Sequence, residues 1–346
     1  MTRRYLSAML MASPLPAPLP APVKIRVAMV GTGHGHAASK LRALLSMPEY
    51  EVAGVCRPDR EDPALGDIFD QVRPTNLTAV LSDSTIQLIA VEGADAAHNL
   101  EWAQQSVAAG KFVHLDKPPG ASLPGLRQLL DDAAQRKLVV QMGYQWRYHA
   151  AMQAAIEAAR QGWLGEIYRF RASIDKPIDA DERRHLAKYR GGMMFSEGCH
   201  LIDRATALLG KPSKVNGYIR HHGRVDDQLA DNSLVVLEYP RAMAEISLAG
   251  FDPDGNSHRY VEILGTNGSA KAQPFGPVRL HMQLKAAAGP YRAGQQTFEP
   301  PSPAGLAYTP DFAEMASVIR GTQQPAYSAA HDLITQEVLL TACQML

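Results

Sequence analysis

Between Lys24 and Gly143 apolar, β-branched runs alternate with amphipathic helical runs, and that alternation constrains the fold more than any other feature of the chain. "KIRVAMVG" reads as a buried strand, "AASKLRALLSM" as a helix and "YEVAGVC" as a second strand. "IQLIAVEG", "KFVHLD" and "LVVQMGY" follow as strands, separated by the helices "NLEWAQQSVAAG" and "LPGLRQLLDDAAQRK". Strands that each hand over to a helix pair in parallel through right-handed crossovers, so residues 24–143 are predicted to form a doubly wound α/β domain of the dinucleotide-binding type. A chain of 346 residues exceeds what one core usually organises, and a second domain is expected.

After Tyr144 the pattern changes. The helix "AAMQAAIEAARQG" precedes the strand "EIYRFRASI", and the helix "SEGCHLIDRATALLG" precedes "KVNGYIRHH", "NSLVVLEYP", "AMAEISLAGF" and "RYVEILGT". Turn signals "YPRA" and "TNGS" separate successive strands, which predicts an antiparallel or mixed sheet and an α+β domain over 144–346. "FAEMASVIRG" and "AAHDLITQEVLLTACQML" close it as helices.

Residues 1–23 carry an arginine pair, a short apolar run and the proline ladder "SPLPAPLPAPV", which favours extended polyproline II. The segment is too short and too proline-broken to span a bilayer. It reads either as a twin-arginine export signal, which would place the protein in the periplasm, or as a disordered tail on a cytoplasmic one. Lysine plus arginine (35) balance aspartate plus glutamate (35) with no dense basic run, so neither nucleic acid nor a membrane surface is an expected partner. The three cysteines, Cys56, Cys199 and Cys343, are too dispersed for a disulfide framework or a metal knuckle.

"VAMVGTGHGHAAS" places Gly31, Thr32, Gly33, His34, Gly35 and His36 where a strand hands over to a helix. In a G-x-G-x-x-G turn the first glycine permits the bend, the second admits a pyrophosphate, and the helix N-terminus attracts its charge. The third glycine position falls on His36, with Gly35 one residue early. At the end of the second strand Arg57 stands where an acid normally meets the adenosine ribose. A guanidinium suits a 2′-phosphate, which favours NADP over NAD, while Asp59 could still reach the ribose. Glu92, ending the third strand, joins the cofactor candidates.

"FVHLDKPPG" ends a parallel strand at the edge where such sheets hold ligands. Pro118 restrains the residue before it, so Lys117 is held extended, and a cis Lys117–Pro118 bond is one way to do so. Asp116 either holds this loop or partners the lysine. The histidine pairs His34/His36 and His221/His222 lack the helical spacing of a metalloenzyme, and no metal is expected. Cys199 adjoins His200, but neighbours on a helix point about 100° apart, so packing is its expected role.

The ordered motifs "GTGHGH", "AAGKFVHLDKPPG", "GYQWRYH", "QGWLGEIYRFRA" and "GGMMFSEGCHLID" resemble the Gfo/Idh/MocA family of nicotinamide-dependent oxidoreductases. The resemblance implies a Rossmann domain followed by a domain with a large open, mostly antiparallel sheet that often mediates oligomer contacts, hence a homo-oligomer, dimer or tetramer. It implies catalytic roles for Lys117 and for His200, with Asp203 able to share the histidine's helical face. It departs from the family at Asp116, where glutamate is usual, and at Ser196, four residues before His200, where aspartate is usual; the neighbouring Glu197 is a possible substitute. Arg147 and Tyr148 are candidate substrate contacts, with His185, Lys188 and Tyr189 near the same cleft. The implied reaction is hydride transfer between a nicotinamide and a secondary hydroxyl of a sugar or polyol. An NAD-dependent glycosidase using transient oxidation, or a non-catalytic cofactor sensor, remain alternatives on the residues alone.

Overall fold

A computed structural model describes residues 23–58, 68–274, 277–301 and 307–346. The first unit runs β1 (Ile25–Val30), α1 (Ala37–Ser46), β2 (Tyr50–Cys56), β3 (Pro74–Thr75), α2 (Leu77–Ser82), β4 (Leu88–Val91), α3 (Ala96–Ala108), β5 (Phe112–Leu115), α4 (Leu123–Gln135) and β6 (Val140–Met142). Its six strands are all parallel in the order β3-β2-β1-β4-β5-β6. The order reverses at β1, so a crevice opens beyond the carboxyl ends of β1 and β4, where doubly wound sheets bind dinucleotides. Every residue of β4 is buried, as expected for a strand covered on both faces.

The second unit comprises α5 (Ala150–Arg160), β7 (Ile167–Ser173), α6 (Ala180–Leu186), α7 (Cys199–Leu209), β8 (Lys214–Arg220), β9 (Asn232–Glu238), β10 (Met243–Ala249), β11 (Tyr260–Gly265), β12 (Gly268–Gln273), β13 (Arg279–Leu284), β14 (Gly294–Phe298), α8 (Thr309–Ile319) and α9 (Ala329–Ala342). Its eight strands lie in the order β14-β13-β12-β11-β7-β10-β9-β8. All neighbours are antiparallel except β7 and β10. Burial alternates along β9, β10 and β11, so one face packs inward on α5 and α7 and the other stays open. Tyr218, Leu234 and Met243 lie on that open face, half-exposed.

One hydrophobic cluster runs from Val30 and Val91 of the first sheet through Met152 and Phe195 to Phe170 and Val235 of the second. Each such fully buried aliphatic or aromatic side chain is worth about 1.5–3 kcal/mol. The opposite face of the first sheet is covered by α1 and by α8, whose Phe312, Met315 and Ala316 join Met29, Leu41 and Leu88. The Tyr50 hydroxyl donates to the Phe312 carbonyl at 2.6 Å. Residues 144–346 are therefore not packed as a separate body: their helix α8 completes the core of the first sheet. The expected export signal or tail lies outside the described residues, and no helix among them is long and apolar enough to cross a membrane.

Candidate active site

The turn after β1 has the geometry a phosphate loop needs. Gly31 adopts φ +80°, and a Cβ there would come within 2.6 Å of Gly93 Cα. At Gly33 a Cβ would meet Ala94 Cβ at 2.6 Å, whereas Gly35 faces open space. Two glycines are thus required by close approach, and the third is free. Helices α2, α3, α4 and α9 begin with side-chain caps from Asn76, Asp95, Ser122 and Ser328, but α1 has none. The Ala37 amide donates to the His34 carbonyl at 3.0 Å, and no side chain caps this end of the helix, which fits a dinucleotide pyrophosphate there.

Lys117 follows β5 directly, and its bond to Pro118 is cis. Its ammonium, buried to 3% exposure, donates to the Ser196 carbonyl at 2.8 Å. Met194–Gly198 forms a single π-turn that leads into α7, and the same Ser196 carbonyl also takes the Cys199 thiol at 3.1 Å. Four residues beyond Ser196, His200 is buried, stacked on Trp146 with ring centres 5.7 Å apart and set edge-on to Tyr144. The sequence-predicted pair, Lys117 after β5 and His200 on α7, is therefore brought together. Burial first, and the Lys117 ammonium second, hold the His200 imidazole well below its ordinary pKa, so it is neutral. Burial works against the Lys117 charge, yet the facing Glu197 carboxylate carries its pKa upward. Burial likewise opposes ionisation of Glu197, but Lys117 and Lys176 hold it well below the carboxylate range. Lys176 Nζ lies 3.2 Å from Glu197 and also pairs with Glu182. Burial pushes the Cys199 thiol up, so it stays protonated beside His200.

Asp116 is fully buried beneath this cleft. Its Oδ1 accepts the Lys117 amide at 2.8 Å and lies 3.0 Å from Lys40 Nζ, while Oδ2 pairs with His34 and sits 3.3 Å from His36 Nδ1. His36, at the third glycine position, fills the space between the turn and His200, 6.5 Å away centre to centre. Burial, partly offset by Asp116, lowers its pKa to about 4. His34, His36 and Asp116 gather three metal-type ligand atoms within 4.8 Å. The Lys40 ammonium, at 3.0 Å, already neutralises that carboxylate, so the cluster reads as a hydrogen-bonded floor to the cleft. Above it, Tyr189 crosses between the two units: its hydroxyl donates to the Ala94 carbonyl at 3.1 Å and accepts the Ala96 amide at 3.3 Å. His185 packs against the same ring.

Four expectations are corrected. The Glu92 carboxylate does not face the cleft: it is fully buried on Lys40 at 2.8 Å, and only its carbonyl meets the turn, accepting from the His34 amide. Arg147 is turned away from the cleft into a buried cluster, donating to Asp203 at 2.7 Å and Asp332 at 2.5 Å, because two carboxylates without water need a guanidinium between them. Asp203, expected to share the face of His200, is held there by Arg147, Arg204 and His331. Tyr148 is engaged elsewhere, its hydroxyl accepting from Gln141 Nε2 at 3.0 Å. Arg57 lies where expected, at the end of β2, paired with Asp70 at 3.3 Å; Asp59 lies outside the described residues. Lys40, Lys176, Gly143 and Trp146 contribute to the site without having been singled out by sequence. Only Lys40 leaves a local signal, a lysine within the buried stripe Ala37, Leu41 and Leu44 of α1.

Residues 25–144 match the family model described as "Oxidoreductase family, NAD-binding Rossmann fold", and residues 152–271 match "GFO/IDH/MocA C-terminal domain". The chain belongs to the Gfo/Idh/MocA family. Among its relatives, dTDP-3,4-didehydro-2,6-dideoxy-alpha-D-glucose 3-reductase of Streptomyces violaceoruber is 27% identical over 54% of this chain and 54% of its own. Human trans-1,2-dihydrobenzene-1,2-diol dehydrogenase is 27% identical over 39% of this chain and 40% of its own. The chain thus spans about half the length, or less, of these curated relatives. In fold, it superposes on GenD2 from gentamicin A biosynthesis, solved with NAD, at TM-score 0.76 and 22% identity over 96% and 97% of the two chains. The probable oxidoreductase YhhX gives 0.75 and 19% over 92% and 96%. Its first domain is thus that of an oxidoreductase family with an NAD-binding Rossmann fold.

Proposed function

We propose that the protein transfers a hydride between a nicotinamide dinucleotide and a secondary hydroxyl of a sugar or polyol. The observation that supports this most strongly is the convergence of Lys117, from the end of β5, and His200, from α7, beside the uncapped start of α1. When bound, the nicotinamide ring supplies the hydride acceptor or donor. His200, neutral and with Nδ1 free of a protein partner, accepts the hydroxyl proton as hydride leaves. The Lys117 ammonium donates to the same oxygen as negative charge grows on it. Glu197 supplies a carboxylate to the cleft where Ser196 replaces the usual aspartate, and Trp146 fixes the plane of the imidazole. A sugar reductase and a diol dehydrogenase among the relatives favour a hydroxyl-bearing substrate.

The preferred cofactor is NADP. The Arg57–Asp70 pair is solvent-exposed and worth about 0–1 kcal/mol, so a 2′-phosphate displaces Asp70 at little cost. A second copy of the chain covers the open face of the second sheet. The test is reduction of NADP and NAD, followed at 340 nm, with a panel of sugars and polyols. The reading requires turnover that drops by about 100-fold or more in His200→Gln and Lys117→Met. Absence of reduced cofactor with every substrate would overturn it, and release of aglycone from a chromogenic glycoside without reduced cofactor would replace it by the transient-oxidation glycosidase.

A further inference from the structure

Lys40 is a fully buried lysine on the face of α1 that packs against the sheet, among Ala37, Leu41 and Leu44. A methionine would fill that stripe without the cost of desolvating a charge, so the ammonium needs a reason. Its Nζ lies 2.8 Å from Glu92 Oε1 and 3.0 Å from Asp116 Oδ1, at the carboxyl ends of β4 and β5. The Tyr308 ring closes over it at 5.4 Å from the start of α8. Space for the pair comes from a residue 103 positions away in sequence. A Cβ on Gly143 would stand 2.7 Å from Asp116 Oδ1 and 2.8 Å from Lys40 Nζ, so only glycine fits beside them. The oxygen that meets Lys40 is also the one that accepts the backbone amide of Lys117.

We propose that Lys40 is a positioning residue: from beneath α1 it holds the Asp116 carboxylate against the Lys117 amide, and so fixes where the Lys117 ammonium emerges in the cleft. The inference rests on the catalytic reading of Lys117 given above. The charge distribution agrees with it. One ammonium faces two buried carboxylates, and like charges in that setting share a proton unevenly. Burial and the neighbouring Asp116 raise Glu92 well above its ordinary value, so Glu92 holds the proton. Asp116 is held well below its ordinary value against burial, by His34, Lys40 and His36. The other titratable groups packed around the ammonium are His114, which burial keeps neutral with its pKa lowered to about 3, and Asp311, which burial raises to about 7. Neither replaces Lys40 as a cation, so its loss leaves Asp116 with the two turn histidines alone.

The test reads the Lys117 amide directly, by two-dimensional NMR of protein labelled with 15N-lysine and assigned with Lys117→Arg. In the parent protein this resonance is expected to stay constant from pH 5 to 9, because Asp116 stays ionised. In Lys40→Met it should titrate within that range as Asp116 takes up a proton, and kcat/KM should fall about 10- to 100-fold with a new acidic limb. Lys40→Met/Asp116→Asn should lose both titrations, since asparagine still accepts the amide and cannot ionise. Gly143→Ala, which crowds the pair while keeping its charges, should displace the amide resonance in the same direction if Lys40→Met proves too unstable to study. A Lys117 amide in Lys40→Met that matches the parent across the pH range overturns the proposal, even if thermal stability falls. Because the amide is read without substrate, that result is distinct from failure of the proposed reaction.

Discussion

Replacing Arg147 by methionine removes the guanidinium that separates Asp203 from Asp332 at the junction of the two units. Arg147 is 2% exposed, and its side chain reaches both carboxylates at 2.5–3.3 Å. Breaking a buried ion pair by deleting one partner costs about 3–5 kcal/mol, because the other charge is left without compensation. Asp203 keeps Arg204 and His331, whereas Asp332 loses its only guanidinium among the described residues, so the penalty falls mainly on Asp332. Burial already raises the Asp332 carboxyl with Arg147 in place, and the variant should bind a proton there at neutral pH. Unfolding entropy of about 2.1 cal/mol/K per residue, taken over the 346 residues, gives about 0.7 kcal/mol per degree, so Tm should fall by about 4–7 °C. Thermal denaturation followed by circular dichroism measures this, and Arg147→Met/Asp332→Asn should recover part of the loss. A Tm within about 1 °C of the parent, together with a KM raised tenfold or more, would refute the structural role and return Arg147 to the substrate.

Three further outcomes follow from the geometry. Gly33→Ala drives a Cβ into Ala94 and should weaken NADPH binding by tenfold or more, whereas Gly35→Ala, facing open space, should change it less than about threefold; fluorescence titration distinguishes them, and equal losses would contradict the phosphate-turn reading. Protonating His200 removes the base, so activity is lost as pH falls through its depressed value; the kcat/KM profile should show no histidine limb near 6.5, and a limb there that disappears in His200→Gln would contradict the neutral buried imidazole. Leu234→Asp and Met243→Asp place charges on the open sheet face and should yield a smaller species by sedimentation with unchanged circular dichroism; a parent protein that already sediments as one chain would remove the basis for an assembly through this face.

The first sheet is legible because each of its longer strands is apolar on both faces and α1, α3 and α4 carry clear stripes, whereas the two-residue β3 and α2, which buries only Val80, leave no pattern. β12 and β14 are not legible, because "GSAKAQ" and "GQQTF" hold few apolar residues and β14 at the sheet edge buries none; β13, "RLHMQL", does alternate Leu280, Met282 and Leu284 inward, but is not among the strands read from the sequence. Their positions are set by pairing across the sheet with strands distant in sequence. Lys117 and His200 stand out by motif, but local sequence cannot show which way a charged side chain turns. Glu92 and Arg147 look like ligands for a cleft and are instead committed to partners 52 and 56 or more residues away. The π-turn at Met194–Gly198 leaves no propensity signature, so the Ser196 carbonyl could not be read as the acceptor for Lys117. Lys40 is intelligible only with Gly143, and no local window contains both.

The most direct measurement is a crystal structure of the protein with NADPH. The account predicts the pyrophosphate on the uncapped N-terminus of α1 and the nicotinamide ring beside both the Lys117 ammonium and the His200 imidazole. A nicotinamide bound away from either side chain, or a first glycine turn that admits no dinucleotide, would contradict it.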